Sequence, residues 1–195
     1  MDDHPMTDEE LMHEYAQGDA QALGLIFERY KTAILNFCLR ILRNRADAED
    51  ITAEVFMVLC SNKYKSQTNA KFSTWLYTIA RNACISKIRQ KKKMFSMWVK
   101  NNSEGGYEEM DLVDNKILPR EEVEQKEKAA IIQKALTKLP LIQKEAIVLR
   151  EYQGLNYDEI AKVLDCSLSK VKILIFRARE QLRQELPSLI QEGRI

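Results

Sequence analysis

The 195-residue chain has only two histidines, His4 and His13, and four cysteines that stand alone at Cys38, Cys60, Cys84 and Cys166. No pair has the spacing of a zinc site or a redox dithiol, so no metal and no cofactor are expected. Three of the cysteines lie in apolar periodic segments, where a reduced thiol reads as a small core residue. Also missing is any run of the roughly 18 to 20 apolar residues that a membrane span needs. The opening Met1-Asp2-Asp3-His4-Pro5 is acidic and polar, unlike a secretory signal. The expected setting is the cytoplasm. With six glycines and four prolines there is no phosphate-binding glycine loop, and no nucleophile stands beside a plausible base. No catalytic residue is assigned, and an enzyme is not expected.

What is present is helical periodicity throughout, with no sustained strand-like alternation. Thr7-Asp8-Glu9-Glu10 has the form of a capping box, and its helix should stop at Gly18. Asp19 can cap a long amphipathic helix carrying Leu23, Phe27, Tyr30, Ile34, Phe37 and Ile41. Asp47 is expected to cap a third helix to about Cys60, and Ser73 a fourth to about Gln90. Between them, Ser61 to Lys71 is polar and reads as a loop. Pro140 marks the start of a further helix after one that places Ile131, Ile132, Ala135, Leu136 and Leu139 on one face. The expected fold class is all-α, with two small helical domains joined by a flexible acidic linker. The expected divisions are an extension over 1–18, a four-helix domain over 19–95, a linker over 96–120, a second domain over 121–187 and a tail over 188–195.

The net charge of +1 conceals strong segregation. From Val55 to Ser103 there are ten Lys and Arg residues and no Asp or Glu, whereas Glu104 to Lys128 holds nine acids against four bases. A cationic block of that size points to a polyanion, and nucleic acid is the first candidate. On the fourth helix Arg81, Ile85 and Arg89 share the side opposite Leu76, Ile79, Ala80 and Ala83. With Lys87 and the lysines beyond, they make a track suited to phosphates. Trp75 and Tyr77 stand at its start, where rings stack on unpaired bases, although Trp75 in the core is the plainer reading. The third helix differs. Ala48, Ile51, Val55 and Leu59 share its core side, leaving Asp50, Ala53, Glu54 and Met57 outward, a face that DNA repels and that suits a basic protein partner.

In the second domain a short helix (Tyr157 to Leu164), a tight turn at Asp165-Cys166 and a longer helix capped by Ser167 and ended by Pro187 form a helix-turn-helix. Leu168, Val171, Ile175, Ala178 and Leu182 make the expected core stripe. Opposite it lie Ser169, Lys170, Ile173, Phe176 and Arg177, with Lys172 and Arg179 on the flank. Arg177 suits a guanine edge, Ile173 a thymine methyl, and Lys170, Lys172 and Arg179 suit phosphates.

Together, Asp47-Ala48-Glu49-Asp50-Ile51 through Glu54-Val55-Phe56, the run Phe72-Ser73-Thr74-Trp75-Leu76-Tyr77-Thr78-Ile79-Ala80-Arg81-Asn82, and Leu155-Asn156-Tyr157-Asp158-Glu159-Ile160-Ala161 through Val171-Lys172 to Phe176-Arg177-Ala178-Arg179 resemble a sigma factor of bacterial RNA polymerase. The likeness is to the extracytoplasmic-function (ECF) group of the sigma-70 family. It implies that Asp47, Glu49, Asp50, Glu54 and Met57 dock on the clamp helices of the polymerase largest subunit. It implies that Lys63, Lys65, Lys71, Trp75, Tyr77, Arg81, Asn82, Lys87 and Arg89 bind the melted downstream promoter element. Ser169, Lys170, Lys172, Ile173, Phe176, Arg177 and Arg179 then read the upstream element as duplex. The acidic linker would thread the RNA exit channel, and an anti-sigma factor would be a further partner; no small-molecule substrate is implied. The chain departs from the family pattern at Ser86, Ile173 and Leu174. Two other readings fit the residues: a helix-turn-helix regulator that binds an operator without polymerase, and a structural RNA-binding protein.

Overall fold

The computed structural model describes residues 6–61, 71–101 and 120–192. Among these are eight helices and no strand, and the chain divides into two compact units, the first ending at Gly106 and the second beginning at Tyr107. The first unit contains α1 (Asp8–Ala16), α2 (Ala20–Leu42), α3 (Arg45–Cys60) and α4 (Phe72–Asn101). Local chemistry starts most of them. Thr7 and Glu10 form a reciprocal capping box on α1, and Asp19 accepts from the Gln21 N–H at 2.8 Å to open α2. Between α1 and α2 the chain reverses at Gly18, whose φ of 106° a side chain rarely tolerates.

The core of this unit is the stripe Ile26, Ile34, Phe37, Cys38 and Ile41 of α2 against Ala48, Ile51, Val55 and Leu59 of α3 and Phe72, Leu76, Ala80 and Cys84 of α4. Each large side chain so enclosed contributes about 1.5–3 kcal/mol relative to exposure. Early in α2 the expected stripe is displaced by one residue: Ala22 and Ile26 are buried, while Phe27 is 42% exposed and rests its ring edge-on against Phe56, with centroids 4.7 Å apart. Residues 8–16, expected to lie outside the first domain, form α1 and pack on α2 and α4 with Leu11 and Met12 buried.

Three helix ends in this unit differ from expectation. Asn44, not Asp47, caps α3, its Oδ1 accepting from the Asp47 N–H at 2.9 Å. Ser73 lies inside α4, and that helix runs to Asn101, well past Gln90 and into the segment assigned to the linker. Nothing in Lys91-Lys92-Lys93-Met94-Phe95 breaks a helix, although residues 91 to 97 are all exposed.

The second unit holds α5 (Arg120–Thr137), α6 (Leu141–Glu151), α7 (Tyr157–Leu164) and α8 (Leu168–Glu192). Its core joins Ala135, Leu136 and Leu139 to Ala146, Val148 and Leu149, Ile160, Val163 and Leu164, and Val171, Ile175 and Ala178. Asn156 and Glu159 form the capping box of α7. Pro187 does not end α8. It lies inside the helix, where it gives no N–H to the ladder, yet the helical backbone continues to Glu192.

Candidate nucleic-acid interface

In the second unit α7 and α8 are joined by Asp165, Cys166 and Ser167, with Asp165 in the left-handed region at φ 51°, a conformation that Asp adopts more readily than most residues. Ser167 Oγ accepts from the Lys170 N–H at 3.3 Å and so opens α8. Val171, Ile175 and Ala178 are fully enclosed, which turns Lys170, Lys172, Ile173, Phe176 and Arg177 outward together with Ser169. The expected core stripe changes, and Leu182 is only half-buried. Leu168 is 36% exposed because it precedes the first turn that packs, and Leu174, 7% exposed, takes its place in the core. Of the two departures from the resembled pattern on this helix, only Ile173 is therefore exposed.

Ile173 and Phe176, half and two-thirds exposed, form an apolar pair one turn apart on a basic face. Arg179 is differently placed. Its guanidinium meets Glu151 of α6 at 2.6 Å, and that hydrogen bond raises its pKa. In this structure it braces α8 against α6. Arg150 supports the same corner, donating to the Leu155 carbonyl at 2.9 Å and lying over the Tyr157 ring at 5.1 Å.

In the first unit α3 and α4 present two outward faces of opposite charge. Asp50, Ala53, Glu54 and Met57 are exposed on α3, with Met57 at 65%. Glu49 is also exposed and bonds Arg45 at 2.8 Å. Beside this acidic edge lies an apolar groove of about 410 Å³, lined by Phe27, Leu35, Ala53 and Phe56 and flanked by Lys31 and Glu49. Sequence reasoning missed Phe27 and Leu35 here. The signal was available, since a helix apolar on more than one face has more than one partner.

On α4, Arg81 is half-buried, Asn82 and Arg89 are exposed, and Lys91, Lys92 and Lys93 continue the exposed charge. Lys71 is exposed just before the helix, while Lys63 and Lys65 lie outside the described residues. Trp75 is half-buried, 5.9 Å from the Phe72 ring. Tyr77 has to be removed from the base-stacking set. It is 3% exposed, its ring meets Phe37 at 5.6 Å, and burial raises its phenol pKa. One position along the helix from the expected face, it belongs to the core.

Asp47 is also turned inward. Its carboxylate, 12% exposed, accepts from Lys91 and pairs with Lys87 at 3.2 Å, and Lys87 also approaches Asp50 at 3.9 Å. Burial pushes the Asp47 pKa up, but the hydrogen bonds and charges of Lys91 and Lys87 outweigh it, so the carboxyl lies below its ordinary value. Asp47 thus ties the start of α3 to α4. Asp47→Asn is expected to cost about 1 kcal/mol, because Lys91 is half exposed and screened, and to lower the first unit's unfolding midpoint by about 4–8 °C at neutral pH. A carboxyl with a lowered folded pKa stabilises above its unfolded value and loses that effect as pH falls through the folded one. Thermal unfolding should therefore show the gap between parent and variant narrowing as pH drops below 3.8.

Among the described residues no cluster of three or more His, Cys, Asp or Glu is placed to hold a metal ion, and no helix is long and apolar enough to cross a membrane.

Residues 26–94 match the family model described as Sigma-70 region 2, and residues 129–182 match Sigma-70, region 4. The ECF RNA polymerase sigma factor SigW of Bacillus subtilis is 36% identical over 174 residues, spanning 89% of this chain and 93% of its own. The RNA polymerase sigma-H factor of Pseudomonas aeruginosa is 28% identical over 192 residues, spanning 95% and 97%. Among solved structures, the sigma factor RpoE in complex with the anti-sigma factor NepR from Bartonella quintana shares the fold at a TM-score of 0.64, with 22% identity and coverage of 84% and 96%. CnrH in complex with the cytosolic domain of CnrY does so at 0.67, with 20% identity and coverage of 93% and 97%.

Proposed function

Because this chain belongs to the ECF group of the sigma-70 family, we propose a division of labour in which α3 docks on polymerase, α4 holds melted DNA and α8 reads duplex DNA. As a sigma factor it binds core RNA polymerase and directs transcription initiation at specific promoters, including strand opening. The observation that carries the division is the opposed charge of the adjacent α3 and α4 faces in one small unit. Carboxylates repel DNA and cations attract it, so a single partner does not satisfy both.

The docking set is Asp50, Glu54 and Met57, with Glu49 at its edge and Phe27 and Leu35 in the groove beside it. Its counterpart is the clamp helices of the largest polymerase subunit. Asp47 supports this face from behind by fixing α3 to α4. The melted strand runs along Arg81, Asn82 and Arg89 with Trp75 at the start, and Lys63, Lys65 and Lys71 border the downstream element. Lys87 joins the track when it leaves Asp47. Duplex reading belongs to Ser169, Lys170, Lys172, Ile173, Phe176 and Arg177, with Arg179 as their support. The two functional regions take 19–95 and 121–187, with α1 packed on the first, α4 running past its end to Asn101, and the acidic stretch between them. The factor acts in the cytoplasm and carries out no chemistry itself; binding energy for unpaired bases opens the duplex. An anti-sigma factor, as in the solved complex of RpoE with NepR, is the expected regulator.

Co-purification with core polymerase tests the reading. The full chain should elute with core enzyme and bind promoter DNA specifically only in that complex. Specific duplex binding by the chain alone, with no association to core, would make it an operator-binding regulator. A second experiment addresses the strand-holding face. With Arg81→Ala and Arg89→Ala combined, open-complex formation should fall, and the slope of log K against log salt should decrease by about 0.7 for each phosphate that is no longer neutralised. An unaltered slope removes both residues from the track.

A further inference from the structure

Helix α1 reaches the end of α3 and the start of α4, which lie on either side of residues 62–70 in the sequence. From its C-terminal half, Tyr15 donates its hydroxyl to the carbonyl of Cys60, the last residue of α3, at 3.0 Å. From its first turn, Glu9 Oε1 accepts from the N–H of Phe72, the first residue of α4, also at 3.0 Å. Glu9 and Tyr15 lie six residues apart on one helix, about 9 Å along its axis. Carbonyls at the end of a helix and N–H groups at its start lack intrahelical partners, and they are ordinarily satisfied by water or by the adjoining chain. Here a third helix, 45 and 63 residues distant in sequence, satisfies one of each.

The helix is anchored well enough to act as a strut. Leu11 and Met12 are 1% and 4% exposed. Asp8 accepts from both Arg29 and Tyr30 of α2, and Arg29 also donates to the Met6 carbonyl at 2.9 Å. Burial, reinforced by the bond to Asp8, raises the Tyr30 pKa, so the hydroxyl keeps its proton and remains a donor. Glu9 adds a charge effect, because a carboxylate at a helix N-terminus is favoured by the aligned peptide dipoles. The cap position before Phe72 is Lys71, whose side chain has no acceptor to offer that N–H.

We propose that α1 is a brace for strand opening, in which Glu9 and Tyr15 are positioning residues that fix the end of α3 against the start of α4. The brace sets the separation between the two helix ends flanking the downstream-element contacts, and with it the placement of Trp75 and Arg81 toward the unpaired strand. The inference rests on the reading of α4 as the strand-holding helix.

The test uses the full chain assembled with core polymerase, comparing Glu9→Ala, Glu9→Gln and Tyr15→Phe with the parent. Three quantities are read: assembly with core, affinity of the holoenzyme for a single-stranded oligonucleotide carrying the non-template downstream element, and open-complex formation on duplex promoter. Glu9→Ala and Tyr15→Phe should assemble as the parent does; in the other two Glu9→Ala should lose about tenfold, the size of one hydrogen bond to a charged group, and Tyr15→Phe about threefold, that of a neutral, exposed one. Glu9→Gln, which still offers an acceptor oxygen, should recover most of the loss. If Glu9→Ala unfolds the chain, Tyr15→Phe carries the test, because it removes one hydroxyl and leaves the ring.

Single-strand affinity equal to the parent's overturns the brace, as does a loss that follows only a lowered unfolding midpoint or weakened assembly, the signature of a merely structural helix. If the parent holoenzyme opens no promoter, the functional reading falls and takes the brace with it. If the parent opens promoters and the variants match it, the brace alone falls.

Discussion

Reversing Asp50 and Glu54 together, as Asp50→Lys with Glu54→Lys, is expected to weaken association with core polymerase by about a hundredfold or more and to leave the helical content and unfolding midpoint close to those of the parent. Both carboxylates are exposed on α3, beside Met57 at 65% exposure and the Phe27–Leu35–Phe56 groove. Lys at either position clashes with nothing in the core, so the folded state loses little. The complex loses two attractive pairs and gains two repulsive ones, and like charges brought together at an interface cost several kcal/mol. Asp50 also neighbours Lys87 at 3.9 Å, a distance at which an exposed pair contributes little to stability. Titration of labelled chain with core enzyme measures the effect. Unchanged affinity removes this face from the docking surface, even if the chain still directs transcription through another surface.

Arg177→Ala is expected to have the second large effect, a drop of about ten- to a hundredfold in transcription from promoters that depend on the upstream element. The side chain is exposed on the face opposite Val171, Ile175 and Ala178, and a bidentate contact to a guanine edge contributes about 1–3 kcal/mol of discrimination. A base-reading role has a particular signature: the variant should lose its preference at one base pair of the element. Removing a phosphate ligand instead weakens all sequences alike. Transcription across an upstream element varied at every position separates the two, and a profile identical to the parent's denies Arg177 a reading role. Lys170→Ala should show the uniform pattern.

The parts of this chain that were legible in its sequence are those governed by neighbours within one helical turn. Thr7 with Glu10, Asp19 and Ser167 all cap the helices they were expected to cap. The outward face of α8 followed from the 3.6-residue period once Val171, Ile175 and Ala178 were assigned inward. Where the assignment failed, a distant partner decided. Asn44 and Asp47 are both good capping residues three positions apart. Asp47 sits inside the helix because Lys87 and Lys91, some forty residues later, claim its carboxylate. Tyr77 and Trp75 are aromatic neighbours on one helix, and the first turns inward with Ala80 and Cys84 to meet Phe37 of α2. The length of α4 was hidden because residues 91 to 97 are exposed on every side, so no buried stripe imposes an apolar period on them. The hydrogen bonds by which α1 reaches Cys60 and Phe72 left no trace in any local pattern.

The central claim is that one small chain brings core polymerase to promoters and opens them, using carboxylates on α3 for the enzyme and cations on α4 for the strand. Transcription reconstituted from purified chain, core polymerase and a library of genomic fragments tests it most directly. Discrete initiation sites sharing a two-part sequence are expected, absent when either component is omitted and lost with the Asp50→Lys, Glu54→Lys chain. The absence of any chain-dependent start site across the library contradicts that claim.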